Sequence, residues 1–334
     1  MVKKNARILV TGGGGFIGSE FVRQCAKEHI HLTVIDALTY AGDLKRIEEA
    51  TDFITFVKLD LSQKNDLTKL FQKAKPDTVV HFAAETHVDR SINDSSAFIT
   101  SNIIGTQNLI DVARLTTVKR FIHISTDEVY GSSMKGRFRE IHPLKPNNPY
   151  AASKAAAEHF IRAAIKTFNF PAIIIRPSNN YGPWQYPEKF MPVVIWKALN
   201  NQKIPVYGKG KQIREWLFVS DCVDAILTIL NKGTIGEVYN IGSYFEQENI
   251  KTAEMILHYL GKPPSLIQFV KDRPGHDFRY SVNCAKLRKL GWRPKVTIPV
   301  GIERSVDWYT QNQQWIKQKL NVLDQYWKSV YQTK

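Results

Sequence analysis

Through the first 176 residues, short apolar runs bounded by glycine, proline or polar residues alternate with stretches in which apolar residues recur every three to four positions. The runs Arg7–Thr11, His31–Asp36, Ile54–Lys58, Thr78–Phe82, Arg120–Ser125 and Ala172–Arg176 are predicted strands. Phe16–Glu28, Leu67–Lys73, Ser96–Leu115 and Tyr150–Phe168 are predicted helices. Strand, helix and strand in succession mark βαβ units, so the pattern predicts an α/β fold built on a doubly wound parallel sheet. After Arg176 the texture changes, because Pro177, Gly182, Pro183, Pro187, Pro192 and Pro205 punctuate loops rich in Asn, Tyr and Arg. A smaller, discontinuous α/β domain is expected there, occupying most of 177–334. Trp216–Leu230 reads as a strand and a helix, and Glu237–Ile241 as a further strand, so parts of 215–245 are expected to return to the domain formed by 1–176. The chain after Pro299 reads as helical.

Composition narrows the classes. A chain of 334 residues, 43% of them apolar, can bury a large core. No apolar run is long enough for a membrane span, and Met1–Arg7 leads into a strand pattern instead of a signal-peptide core, so a cytoplasmic protein without a membrane partner is expected. Cys25, Cys222 and Cys284 are widely spaced and lack a CxxC pairing, which predicts neither a disulfide framework nor a metal site. The net charge of +15 is spread along the sequence. Its densest stretch, Lys317–Lys334, interleaves cations with Trp327 and Tyr331 as an amphipathic helix does, and no nucleic-acid motif accompanies it.

The chemistry begins at Thr11-Gly12-Gly13-Gly14-Gly15-Phe16-Ile17-Gly18, which joins the first strand to the first helix. Gly12, Gly15 and Gly18 carry the spacing of a Rossmann-type dinucleotide turn, where small residues let a pyrophosphate approach the helix N-terminus. Asp36 ends the second strand and suits ribose hydroxyls while repelling a 2′-phosphate, which favours NAD over NADP. Asp60 follows the third strand, where contact with an adenine amino group and capping of the next segment are both open. A second constellation combines Ser125-Thr126-Asp127-Glu128 at a strand end with Tyr150 and Lys154 at a helix start. Four residues apart, Tyr150 and Lys154 share a helix face, and the ammonium, together with the positive end of a nicotinamide ring, is expected to lower the phenol's pKa so that it serves as a base. Two further carboxylates exceed what simple hydride exchange requires. Eliminating water across two carbons needs a base and an acid, roles that adjacent carboxyls divide if their environments separate their pKa values.

With these residues placed, the sequence resembles the extended short-chain dehydrogenase/reductases, and among them the dTDP-glucose 4,6-dehydratase family, from about Arg7 to Pro294. The resemblance rests on Asp36–Gly42, His81–Ser91, Arg176–Pro183 continuing to Lys189, Pro205–Trp216 and Asp272–His276. It implies that Tyr150, helped by Thr126, takes the sugar 4-hydroxyl proton while hydride passes from C4 to NAD. Glu128 then removes the C5 proton, Asp127 protonates the departing C6 hydroxyl, and the hydride returns to C6. For the cofactor it implies Gly12, Gly15, Phe16, Ile17, Gly18, Asp36, Ala37, Leu38, Thr39, Asp60, Leu61, Phe82, Ala83, Ala84, Glu85, Ser101, Tyr150, Lys154 and Asn180. For the nucleotide sugar, dTDP-glucose or UDP-glucose, it implies Thr86, His87, Thr126, Asn179, Lys189, Pro205, Val206, Tyr207, Arg214, Asn249, Arg273 and His276. Arg214 and Arg273 are suitable forks for a diphosphate. The same fold and cofactor also serve nucleotide-sugar epimerases and UDP-glucuronate decarboxylases, which generally lack the adjacent Asp-Glu pair. Members of the family form homodimers through helices corresponding to Ser96–Leu115 and Tyr150–Phe168. Gly14 and Lys197 stand where relatives have alanine and asparagine.

Overall fold

The computed structural model describes residues 6–116 and 118–331, so the last residues of the basic run, 332–334, lie outside the described residues. Seven strands form one sheet in the order Val238–Ile241, Ala172–Pro177, Arg120–Ile124, Thr78–His81, Ile8–Thr11, Leu32–Asp36, Ile54–Lys58. Every neighbouring pair is parallel. A parallel sheet must be covered on both faces, which explains why its strands are apolar throughout instead of alternating. Val10, Val34, Ile122 and Ile175 face one layer, where Phe21 and Val22 of helix Phe16–Lys27 meet Val223 and Ile226 of helix Val219–Lys232. Leu9, Val79, Phe121 and Ile174 face the other, against Leu67, Phe71, Leu109 and Ile161.

The late segment divides its allegiance. The strand containing Trp216, Ile213–Phe218, lies between Glu246–Glu248 and Asn179–Tyr181 in a small three-stranded sheet. The helix that follows it packs on the main core, and Val238–Ile241 closes the edge of the main sheet. Ile204–Tyr207 and Ile267–Val270 pair in parallel as a separate ribbon. A second core joins Tyr181, Val194, Ile195, Trp216, Ile256, Ile302 and Trp315, burying helices Phe190–Leu199, Asn249–Tyr259 and Ile298–Gln311 on these smaller sheets.

Two departures from the predicted elements bear on the site. The 3₁₀ segment Leu44–Phe53 carries no strong periodic signal, yet it buries Arg46, Ile47 and Ala50 beside the glycine turn. The predicted helix Ser96–Leu115 is α-helical at Ser96–Phe98 and Thr106–Arg114, with a π-helical stretch at Ile99–Gly105 between them. Widening the helix there turns Asn102 inward: its Oδ1 accepts from Glu85 N at 2.8 Å, and its Nδ2 donates to Glu85 O and Ser153 Oγ at 3.0 and 2.9 Å.

Candidate active site

The glycine turn is built so that no side chain can fill it. Gly12 has φ of +72°, and a Cβ there would stand 2.5 Å from Ala83 N; one on Gly18 would stand 2.2 Å from Gly12 O. Gly15 caps helix Phe16–Lys27 in extended conformation without a side-chain hydrogen bond, leaving the first-turn N–H groups to face the cleft. Asp36 accepts from Gly14 N and Leu38 N, each at 2.8 Å, and keeps lone pairs for hydroxyl donors. Burial raises its pKa despite these bonds.

A cleft runs from this turn to the candidate catalytic constellation. Gly12, Gly15, Phe16, Ile17, Gly18, Asp36, Ala37, Thr39, Phe82, Ala83, Ala84, Glu85, Thr86 and Ser101 line it, with Thr126, Glu128, Tyr150, Lys154, Asn179 and Asn180 at its inner end. A dinucleotide fits this donor set: the cradle is free of side chains, and the buried Ser125 Oγ, Ser178 Oγ, Asn179 Oδ1 and Asn180 Oδ1 lack partners among the described residues. Leu38, Asp60 and Leu61 do not line the cleft. Leu38 serves Asp36 through its backbone, Asp60 Oδ1 accepts from Ser62 N at 2.8 Å as a turn cap, and Leu61 is buried in the core.

The catalytic groups are positioned by two caps. Thr126 Oγ1 accepts from Glu128 N at 3.2 Å and starts the 3₁₀ turn Asp127–Tyr130, which ends at Gly131 with φ of +77°. Asn148 accepts from Ala151 N at 2.9 Å and starts helix Pro149–Phe168, with Pro149 in its first turn. These starts bring Tyr150 within a hydrogen bond of Thr126 and send Lys154 Nζ to Ile124 O at 2.7 Å.

The electrostatics separate the two acids. Burial raises Asp127 well above the carboxylate range, and its acidic neighbours Glu128 and Glu215 push it further. Its Oδ2 has no partner among the described residues. Burial also raises Glu128, but Arg273, Arg214 and Lys189 oppose the rise. Among the protein's own groups, burial, then Glu128, raises Tyr150, with Asp127 adding to the effect, while Thr126 opposes it; the positive nicotinamide ring expected to act with Lys154 would oppose it too. Lys154 hydrogen-bonds a carbonyl and is itself lowered by burial to about 8, so the pair does not act as a simple ammonium beside a phenol.

A second cavity joins the first at Glu128, Asn179, Asn180, Gln185, Glu188 and Lys189. It gathers His87, Pro205, Val206, Tyr207, Arg214, Asn249, Arg273 and His276. Arg214 is less open than a free fork, since it donates to the carbonyls of Ile213, Asp277 and Phe278. Arg273 Nη1 donates to Asp89 Oδ1 at 2.9 Å, and Tyr207 Oη donates to Asp89 Oδ2 at 3.1 Å. Asp89 is therefore a residue that sequence reasoning missed, although it lies within the His81–Ser91 motif. Tyr280 is another: its hydroxyl is 2.7 Å from Asp277 Oδ2 and 3.3 Å from Glu128 Oε2, a contact across 152 residues.

A dinucleotide cleft with a glycine turn at one end and Tyr150 and Lys154 at the other, on a doubly wound sheet, defines an NAD-dependent enzyme of the extended short-chain dehydrogenase/reductase class. Residues 9–305 match the family model described as GDP-mannose 4,6 dehydratase. The dTDP-glucose 4,6-dehydratase of Xanthomonas campestris pv. campestris (strain B100) is 47% identical over 92% of this chain and 94% of its own. That of Neisseria meningitidis serogroup B is 43% identical over 94% and 96%. The crystal structure of a dTDP-glucose 4,6-dehydratase double mutant from Streptomyces venezuelae with NAD and DAU bound superposes with a TM-score of 0.90 at 41% identity, covering 93% of this chain and 99% of that one. The Thermus thermophilus UDP-glucose 4-epimerase complex with NAD reaches 0.86 at 28% identity, covering 91% and 99%, so the fold is shared by both chemistries. The chain belongs to the dTDP-glucose 4,6-dehydratase family.

Proposed function

We propose that the groups around Tyr150 convert dTDP-glucose to dTDP-4-keto-6-deoxyglucose and water, as an NAD-dependent hydro-lyase. One observation carries the division of labour: Asp127 and Glu128 are adjacent and burial raises both, yet Glu128 and Glu215 outweigh Arg214 at Asp127, whereas Arg273, Arg214 and Lys189 oppose the rise at Glu128. The carboxyl held protonated suits a general acid, and the one kept closer to ionisation suits a general base. Bound NAD supplies a hydride acceptor for C4, a hydride donor for C6, and a positive charge that opposes the burial of Tyr150. Thr126 orients the Tyr150 phenol oxygen, which must be ionised to phenolate to take the proton from the sugar 4-hydroxyl as hydride leaves C4. The ketone that results acidifies C5, and Glu128 holds that proton as Asp127 protonates the C6 hydroxyl and water leaves. Lys154 keeps charge next to the cofactor end of the cleft. Lys189, Arg214 and Arg273 neutralise the diphosphate, with Tyr207 and His276 beside them.

Two further readings belong here. The protein is a cytoplasmic enzyme: no helix among the described residues is long and apolar enough to cross a membrane, and Cys25, Cys222 and Cys284 are free and buried, as a reducing compartment allows. We infer a homodimer, because Ile99 and Ile104 of the π-helical stretch and Phe160 of helix Pro149–Phe168 stand 47%, 46% and 44% exposed, an apolar face that a second copy would cover. Light scattering at twice the monomer mass supports this, and a monomer at micromolar concentration refutes it.

The chemistry is tested by incubating the purified protein with dTDP-glucose or UDP-glucose without added reductant and following the mass of the nucleotide sugar. Loss of one water is expected from dTDP-glucose. An unchanged mass with inverted configuration at C4 would overturn the dehydratase reading.

A further inference from the structure

Three side chains from distant parts of the sequence meet across the mouth of the cofactor cleft. Tyr40 Oη donates to Glu188 Oε1 at 2.7 Å, and Arg90 Nε donates to Glu188 Oε2 at 2.9 Å. The Arg90 guanidinium lies 3.9 Å from the centroid of the Tyr40 ring, whose edge packs against Tyr186 at 5.4 Å. The Glu188 side chain is 1% exposed, so its charge depends on these partners and is poorly screened by salt. Burial and the adjacent Glu188 hold the Tyr40 phenol far above its ordinary pKa, which keeps it a donor.

The position of this cluster gives it a task. Thr39 and Ala41, on either side of Tyr40, line one wall of the cleft, whereas Glu188 lines the other and also faces the second cavity. The loop is fastened again at its far end. Arg46, 1% exposed, donates from Nη1 to Gly14 O at 2.8 Å and to Ala41 O at 2.5 Å, and from Nε to Trp184 O at 3.0 Å. The loop after Asp36 is thus tied at both ends to the segment containing Trp184 and Glu188. A dinucleotide lying beneath cannot leave without separating them.

We propose that Tyr40, Glu188 and Arg90 form a clasp, anchored by Arg46, that retains NAD in the cleft through successive turnovers. The inference rests on the cofactor occupying the glycine-turn cleft. The chemistry gives retention a purpose: the reaction has no net redox change, so one resident cofactor serves every cycle, and its loss after C4 oxidation would strand the sugar as a ketone. Retention is a matter of dissociation rate, which contacts that must open for exit control.

The test measures release of the cofactor directly. Wild-type, Tyr40→Phe and Glu188→Gln proteins are loaded with NAD and freed of excess by gel filtration, and release is followed as NAD appearing in solution where an auxiliary dehydrogenase consumes it. Tyr40→Phe deletes one hydroxyl and leaves the ring under Arg90. Loss of a buried hydrogen bond to a charged group predicts release on the order of ten- to a hundredfold faster. The double variant should release NAD no faster than about the quicker single one, because both remove the same contact. Release at the wild-type rate from a folded variant overturns the clasp. If Tyr40→Phe does not fold, Glu188→Gln decides by the same measure. A wild-type protein that holds no NAD after gel filtration overturns the cofactor placement, and the clasp with it.

Discussion

Replacing Asp127 by Asn alters one atom in a site where the carboxyl's ionisation matters more than its shape. Asp127 is 2% exposed, its Oδ1 accepts from Thr126 Oγ1 at 3.4 Å, and an amide oxygen preserves that contact. Positioned general acids contribute about 10²- to 10⁴-fold, so turnover of dTDP-glucose should fall within that range. C4 oxidation does not use this proton and should slow by less than about tenfold. Single-turnover mixing separates the two steps: reduced-nicotinamide absorbance reports oxidation, and mass reports loss of water. A thermal melt guards against an indirect effect. The folded Asp127 pKa is raised, so its contribution to stability is complete below about pH 4 and is lost as pH rises through the folded value. Above about pH 4 the unfolded chain releases a proton that folded Asp127 retains, so stability declines toward neutral pH; Asp127→Asn, which cannot ionise, should melt within about 2 °C of the wild-type protein or higher. Equal slowing of oxidation and elimination, with an unchanged melt, would refute the assignment of Asp127 to the leaving hydroxyl.

Tyr150→Phe keeps the ring against Phe98, 6.3 Å between centroids, but removes the hydroxyl; C4 oxidation itself should fall about 10²- to 10⁴-fold, measured by the same absorbance. Lys154 has its pKa lowered to about 8, so kcat/KM should decline as pH rises through that value, and Lys154→Arg should shift this limb upward in a pH–rate profile even where the maximum rate is reduced. The Arg176 and Glu158 side chains are fully buried and joined by bonds of 2.9 and 3.1 Å; Arg176→Met leaves an unpaired buried carboxylate and should cost about 3–5 kcal/mol in urea unfolding, whereas the double variant Arg176→Met/Glu158→Leu recovers much of it.

What could be read in the sequence was local. The alternation of apolar runs and helical periods located the sheet strands because each parallel strand is buried on both faces, as Ile8, Leu9 and Val10 are. The glycine turn and the Tyr150–Lys154 spacing are likewise properties of a few consecutive residues. The π-helical stretch at Ile99–Gly105 was not legible, since it depends on Asn102 finding Glu85 and Ser153. Glu188, Asp89 and Tyr280 were missed for a related reason: each acts through partners about a hundred or more residues away. The influences on the phenol were only partly legible, because spacing on a helix says nothing of burial, and burial is the largest influence of the protein on Tyr150.

The edge strand Val238–Ile241 has a consequence for how the protein is made. Its partner, Ala172–Pro177, leaves the ribosome some sixty residues earlier, and Asn179–Tyr181 and Ile213–Phe218 of the smaller sheet are synthesised in between. At about 5–20 residues per second, Ala172–Pro177 waits several seconds with one row of backbone groups unpaired. During that interval its run Ile173-Ile174-Ile175 is the most hazardous stretch of the nascent chain, an apolar β-branched edge before its cover exists. A chain cut after Pro177 would keep the glycine turn and Tyr150 yet bear that edge permanently, so the first 177 residues should aggregate instead of folding as a free-standing unit.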